Sequence, residues 1–361
     1  MNVLKSIRKH QIFWPLVALF LVLLFNLFFT PGFFKVEMRD GHLFGSLIDI
    51  INRGAPLMIL SIGLTLVIAT SGTDISVGSV IAITAAIVAS LIGGQMNFVD
   101  GVQEYVSLIP MPLAIIIGLL VACLLGFWNG VLIGKMGIQP IIATMILMVA
   151  GRGIAQLITK AQIITIYYNP YFFFGGGYLF GIPFSVYIVA ICLLVVMYLV
   201  KKTAFGLFVE SSGCNSEASK YVGIKVDWIK VCVYTISGLC AGIAAILLSS
   251  NIKCADANNL GLYVELDAIL AVAIGGNPMS GGKFSIPCSI VGALIIQSLT
   301  TTIYSFGVPP EVTLVVKALV VIVICLLQSE DFRAIFRNFF DKKRRGNSEE
   351  LATIEKQNIT N

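Results

Sequence analysis

Near residue 280 the chain reads IGGNPMSGGKFS, Ile274 to Ser285, with paired glycines, Gly282-Lys283 and a serine close behind. These are the ingredients of a phosphate cradle, in which a glycine-rich turn presents backbone N–H groups and a Ser or Thr hydroxyl ligates magnesium. The spacing rules it out. The first glycine of such a loop would fall at Asn277 and the hydroxyl at Phe284, while Pro278 removes one donor. Histidine occurs only at His10 and His42, and the eight cysteines form no C-x-x-C pair. Most of them sit in apolar runs, where cysteine behaves as a small hydrophobe. The residues therefore imply no metal site, no cofactor and no catalytic centre.

The remaining chemistry lies in polar groups placed inside or beside apolar runs. Asp74 sits in ATSGTDISVGS, Ala69 to Ser79, and a carboxylate facing lipid at mid-helix costs about 2.5–3.5 kcal/mol. Gly72 and Gly78 loosen the helix on either side, and Thr73, Asp74 and Ser76 are types that cap a new one. The stretch reads as a broken span restarting near Ile75. Asp74 then either lines a pathway or only caps, at mid-membrane or in a short cytoplasmic turn. Arg152, in ILMVAGRGIAQLIT, has Gln156 one turn further on the same face. The two could donate to solute hydroxyls, or could bond backbone carbonyls of a neighbouring helix. Asn129 and Gln297 repeat this choice with neutral amides. Glu265 and Asp267 precede a short apolar stretch; they could meet a polar solute or a docking protein, but acids in that place favour capping. Lys317 can extend its ammonium toward an interface.

The elements that must hold these residues follow from composition. Hydrophobic residues make up 57% of the chain and charged residues 12%, against about 25% charged in a soluble domain, so most of the surface faces lipid. Apolar stretches run over about 12–30, 55–70, 76–93, 111–134, 139–159, 180–200, 229–250, 265–276, 286–306 and 311–328, each compared with the roughly 20 residues that a span needs. Two are short, 55–70 and 265–276. With the N-terminus inside and ten crossings, seventeen Lys and Arg fall on the cytoplasmic side and five outside, as the positive-inside rule requires. The expected fold is an all-α polytopic membrane protein of about ten spans, some broken or re-entrant, with both termini cytoplasmic. The basic N-terminus carries no small-x-small cleavage site and reads as a retained first span. Residues 1–11 form a cytoplasmic N-terminus, 12–328 the transmembrane domain with a cytoplasmic segment at 201–230, and 329–361 a polar, disordered tail.

Glycines recur at four-residue spacing at Gly126, Gly130 and Gly134, and again at Gly238 and Gly242, a pattern that lets helix backbones approach closely in lipid. The 201–230 segment places Leu207, Phe208, Tyr221 and Val222 where water is expected, which suggests docking by another protein. A loop packed only on itself is the alternative.

Several of these strings together resemble one family. G-T-D-I-S-V-G from Gly72, N-G at Asn129, R-G at Arg152, G-C-N-S-E-A-S-K-Y-V-G-I from Gly213 and I-G-G-N-P-M-S-G-G from Ile274 are similar to permeases of bacterial ATP-binding-cassette sugar importers. That family includes ribose, xylose and arabinose permeases, and the resemblance runs from about residue 14 to 328. DGHLFGSLIDIINRGAP, ILMVAGRGIAQLIT, DANNLGLYVELDAILAVAIGGN and GVPPEV resemble its galactofuranose-uptake branch. Thr73 departs from the aliphatic residue common at that place, which bears on local polarity but not on the break.

The resemblance implies an inner-membrane pore subunit that moves a monosaccharide by alternating access and hydrolyses nothing itself. Its partners would be a cytoplasmic ATPase, a periplasmic sugar-binding protein and a second permease chain, identical or related, with no nucleic acid. The residues expected at the ATPase contact are Gly213, Glu217 and Gly223; those expected along the sugar pathway are Asp74, Asn129, Arg152, Gln156 and Gln297. An ion-coupled carrier using Asp74 is the rival reading, and a membrane enzyme lacks the clustered catalytic residues it would need.

Overall fold

The computed structural model describes residues 12–328 except 31, 40, 41, 94, 100, 101 and 107. The N-terminal segment and the polar tail expected from the sequence lie outside the described residues. In chain order the helices are α1 (Phe13–Phe29), α2 (Ser46–Ala69), α3 (Val77–Ile92), α4 (Met111–Gly134), α5 (Pro140–Thr159), α6 (Phe173–Gly176), α7 (Phe184–Lys202), α8 (Ala204–Cys214), α9 (Ser216–Tyr221), α10 (Val226–Ile252), α11 (Val264–Ile274), α12 (Ile286–Ser305) and α13 (Pro310–Gln328). Short antiparallel pairings join β1 (Glu37–Arg39) to β2 (His42–Phe44) and β3 (Gln95–Val99) to β4 (Val102–Val106). A further pair, Ile164–Thr165 with Cys254–Ala255, ties the segment after α5 to the end of α10.

Every one of the ten apolar stretches coincides with a helix. Six of these helices (α2, α4, α5, α7, α10 and α12) are long and apolar enough to cross a membrane, whereas α1, α3 and α11 are shorter. One expectation is corrected. The stretch at 55–70 is not a short span, because α2 begins at Ser46 and runs 24 residues. Its first two turns carry Asp49, Asn52 and Arg53, which hid them from a hydropathy reading. Asp49 suits the positive end of the helix, and the Asn52 side-chain oxygen accepts a hydrogen bond from the Ser185 hydroxyl. Arg53, expected in an outer loop, is therefore helical. Pro56 removes one N–H inside α2 without ending it.

Burial sorts the helices into centre and rim. In the most apolar window of α2, 83% of residues are buried, against 17% in α7. A helix that is apolar all round and buried all round is a central element, and α2 packs against α10, α12, α11 and α7. The rim helices α4, α5 and α7 turn large side chains outward, among them Leu124, Trp128, Ile146, Val149, Ile191 and Leu194.

The contact between α4 and α10 uses the glycine spacing read from the sequence. A Cβ at Gly126 would overlap Tyr234 O and stand 3.0 Å from Gly238 Cα; one at Gly130 would stand 2.7 Å from Val231 Cα. The Gly134 position likewise overlaps Asp227 O. Backbone meets backbone along the last third of α4. The described residues from Gly307 onward belong to a second unit, whose helix α13 has Thr313 Oγ1 donating to Pro309 O at 3.1 Å in its first turn.

Gly126→Ala should force α4 away from α10 at a cost of about 1–3 kcal/mol. Thermal unfolding in detergent should show a lowered midpoint. Gly153→Ala, inside α5 with nothing near its Cβ, should leave the midpoint no lower, since alanine favours helix over glycine.

Candidate functional site

Between α2 and α3 the chain runs without helix from Thr70 to Ser76, so the second half-span starts at Val77, two residues later than the sequence suggested. Backbone outside a helix needs partners when no water is at hand. Asp74 supplies them. Its Oδ1 accepts from Ser76 N at 3.0 Å and from Ser76 Oγ at 2.6 Å, and its Oδ2 accepts from Ser237 Oγ on α10 at 2.9 Å. Asn129 Nδ2 on α4 donates to Ser76 Oγ at 2.9 Å, and Tyr234 OH donates to Thr73 O at 3.2 Å. Asp74 is 2% exposed and Asn129 fully buried. Ser237 is the twelfth residue of α10, about 16 Å from its start, so Asp74 lies beside the middle of that helix and not at its end. The knot pins the break to α4 and α10 at once. Asn129 Oδ1 is left without a partner.

A second break faces the first. After Ala255 the chain turns back over 256–263 and begins α11 with Glu265 and Asp267 in its first turn. Gly78, in the first turn of α3, lies directly against this start. A Cβ there would overlap both Glu265 Oε2 and Gly261 O, and Gly261 itself has φ of 74°. Two short helices thus meet beginning to beginning. Glu265 is 6% exposed and its Oε2 has no hydrogen-bond partner. On the far side Ser79 Oγ contacts Leu147 O at 3.1 Å, which ties α3 to α5.

Arg152 and Gln156 hold the 256–263 turn in place. Arg152 Nη1 donates to Leu260 O at 2.7 Å and to Ala257 O at 3.1 Å, and Gln156 Nε2 donates to Asn258 Oδ1 at 2.7 Å. The guanidinium bonds backbone carbonyls, but those of a turn and not of a neighbouring helix as the sequence suggested. Asp256 stiffens the same turn from within, its carboxylate accepting from Asn259 Nδ2, Asn258 N and Asn259 N. Burial pushes the Asp256 pKa up, but these bonds and the nearby Arg152 charge outweigh it and leave the carboxyl below its ordinary value. Asn258 and Asn259 are exposed beside half-buried Gln156. Gln297 stands apart: it packs against Gly54 and reaches Thr301 at 3.4 Å.

The three residues expected at a partner contact occupy α8, α9 and their ends. Glu217 is exposed in the first turn of α9, whose N-cap Asn215 accepts from Ala218 N at 3.0 Å. Gly223 ends α9 with φ of 91° and open space around it. Gly213 faces the other way, packed so tightly on Ala69 O that no Cβ fits. Leu207, Tyr221 and Val222 are 68%, 90% and 82% exposed, an apolar surface on a pair of amphipathic turns.

Sequence reading missed Ser237, Tyr234 and Ser71. Ser237 looked like one more small residue in a packing run, and nothing in the sequence marks Tyr234 as the donor to Thr73 O. Ser71 could have been noticed because it stands between two helices where glycine is the usual choice.

Residues 46–325 match the family described as branched-chain amino acid transport system, permease component. The galactofuranose transporter permease protein YtfT of Escherichia coli K12 is 45% identical over 91% of this chain and 94% of its own length. The fructose import permease protein FruF of Bifidobacterium longum is 35% identical over 95% and 94%. The ribose import permease protein RbsC of Escherichia coli K12 is 31% identical over 87% and 92%. No solved structure matches.

Arg152→Met should release the 256–263 turn, with amide hydrogen exchange across it about tenfold faster or more. In the wild type the lowered Asp256 pKa stabilises the turn above the ordinary carboxylate value of about 3.9. That contribution is lost as pH falls through the lowered value, so protection should hold at pH 5 and fade only under strong acid.

Proposed function

Because this chain belongs to the branched-chain amino acid transport permease family, we propose that it is the membrane subunit of an ATP-binding-cassette importer for a monosaccharide, galactofuranose or a related sugar. The observation that carries the sugar is the set of relatives: galactofuranose, fructose and ribose permeases, each matched over at least 87% of this chain. The family description names amino acids, but these three relatives all carry sugars. The protein is a multi-pass resident of the bacterial inner membrane. Its proposed topology has ten crossings and both termini in the cytoplasm, which puts α8, α9 and the turn at 275–285 inside and the 256–263 turn on the outer side, dipping back between the helices.

In this reading the outward edge of the 256–263 turn meets the sugar. Gln156, Asn258 and Asn259 offer neutral amides to hydroxyls, and Arg152 fixes the turn that presents two of them. Asp74 and Asn129 belong to the pathway as its latch, holding the start of α3 in this state. Gln297, on α12, lies along the pathway further from this cluster. The separate ATPase docks on the exposed apolar surface of α8 and α9, with Glu217 and Gly223 at the contact and Gly213 behind it. A periplasmic sugar-binding protein and a second permease chain complete the transporter.

Vesicles rebuilt with this chain, its ATPase, the binding protein and any second permease chain should take up galactofuranose only with ATP inside the cytoplasmic compartment. Uptake driven by a proton or sodium gradient without ATP would sink the reading in favour of an ion-coupled carrier. Gly223→Asp, which forces a charged L-residue into left-handed backbone, should cut uptake about tenfold or more, while the amount inserted in the membrane stays the same.

A further inference from the structure

Ser71, just past the end of α2, has φ of 59°, a conformation that costs an L-residue roughly 1–2 kcal/mol and glycine nothing. A serine held there should do what glycine cannot. Its Oγ stands 2.9 Å from Gly213 O on α8 and 2.7 Å from Ser280 O in the turn between α11 and α12. One hydroxyl proton is thus shared between carbonyls of two other segments. Backbone closes the same point. Gly282 N donates to Ala69 O at 2.9 Å, Gly213 abuts Ala69 O, and Gly281, at φ of 88°, abuts Ser71. Segments more than 140 and 200 residues distant in sequence are tied to the end of α2 by one side chain.

From this junction to the buried knot is a very short path. Thr73 O is held by Tyr234 and Asp74 by Ser237, and three residues of extended chain reach only about 10 Å. A displacement of Ser71 has no slack in which to disappear.

We propose that Ser71 is a positioning residue for transport: its shared hydroxyl carries movement of α8 and α9 to the α2–α3 break and to the turn that precedes α12. The proposal rests on the permease reading above and adds the route of coupling within this chain. Pressure on Leu207, Tyr221 or Val222 moves Gly213. The hydroxyl then draws Ala69–Ser71 with it, and the strain arrives at Asp74, where the start of α3 is latched. Without the hydroxyl, α8 could slide over the end of α2.

Ser71→Gly tests this cleanly, because glycine accepts the same backbone and only the tie is removed. In the complete transporter, Ser71→Gly should keep assembly and sugar-independent ATP hydrolysis but lose about tenfold in sugar-stimulated hydrolysis and in uptake. A merely structural role would lower the amount of complex and leave stimulation per complex as in the wild type. Equal stimulation in Ser71→Gly and wild type overturns the proposal. A wild-type complex whose hydrolysis ignores sugar overturns the permease reading itself, and this route with it.

Discussion

Backbone that leaves a helix inside an apolar medium must find partners for its N–H and C=O groups, because each one left bare costs several kcal/mol. That constraint explains the polar residues gathered at the helix breaks of this molecule. Three of the departures from helix, at 70–76, 256–263 and at the buried Asn277 in 275–285, each have their own set of side chains. Asp74 and Ser76 serve the first, Arg152 and Asp256 the second. Asn277 serves the third, accepting from Ser285 N at 2.6 Å and donating to Ser289 Oγ at 2.8 Å. A net hydrogen bond contributes only about 1 kcal/mol, so these groups matter less for what they add than for the penalty they prevent.

The breaks are also where the fold concentrates unlike charges. Helices α3 and α11 meet at their starting ends, where each carries a partial positive charge. Asp74 stands before one and Glu265 in the first turn of the other. Gly78 and Gly261 allow the approach, since side chains at either place would wedge the two starts apart. Both acids face these partial positive charges, and Glu265 Oε2 and Asn129 Oδ1 lack partners. Buried polar atoms without partners are costly.

Hydropathy revealed every apolar helix because apolarity is what lipid demands, and the glycine spacing revealed the α4–α10 contact because close backbone approach admits no larger residue. The start of α2 was hidden for the converse reason. Its first turns bury little, so Asp49, Asn52 and Arg53 are tolerated and the helix looks like a loop. At the break, Asp74 announced itself by cost alone, but its bond to Ser237 is a meeting across 163 positions and leaves no local mark. Arg152 was visible as an anomaly, while its acceptors are carbonyls, which every residue carries. Pairings between a distinctive side chain and an ordinary partner are the part of a site that a single sequence withholds.

The use made of charge bears on what the solute can be. A carrier coupled to protons or sodium needs a carboxylate that opens to each side in turn, and Asp74 has both oxygens occupied and 2% of its surface exposed. Arg152 is likewise engaged with carbonyls of its own chain. With these charges committed to holding breaks, the exposed polar groups at the 256–263 turn are chiefly amides, which in the proposed reading would meet the hydroxyls of a neutral sugar. Weak contact is an advantage for a conduit, since binding energy gained inside the passage must be given back on exit. In the proposed reading the driving force comes from a separate ATPase, and the tie at Ser71 is where a force applied to α8 and α9 would enter.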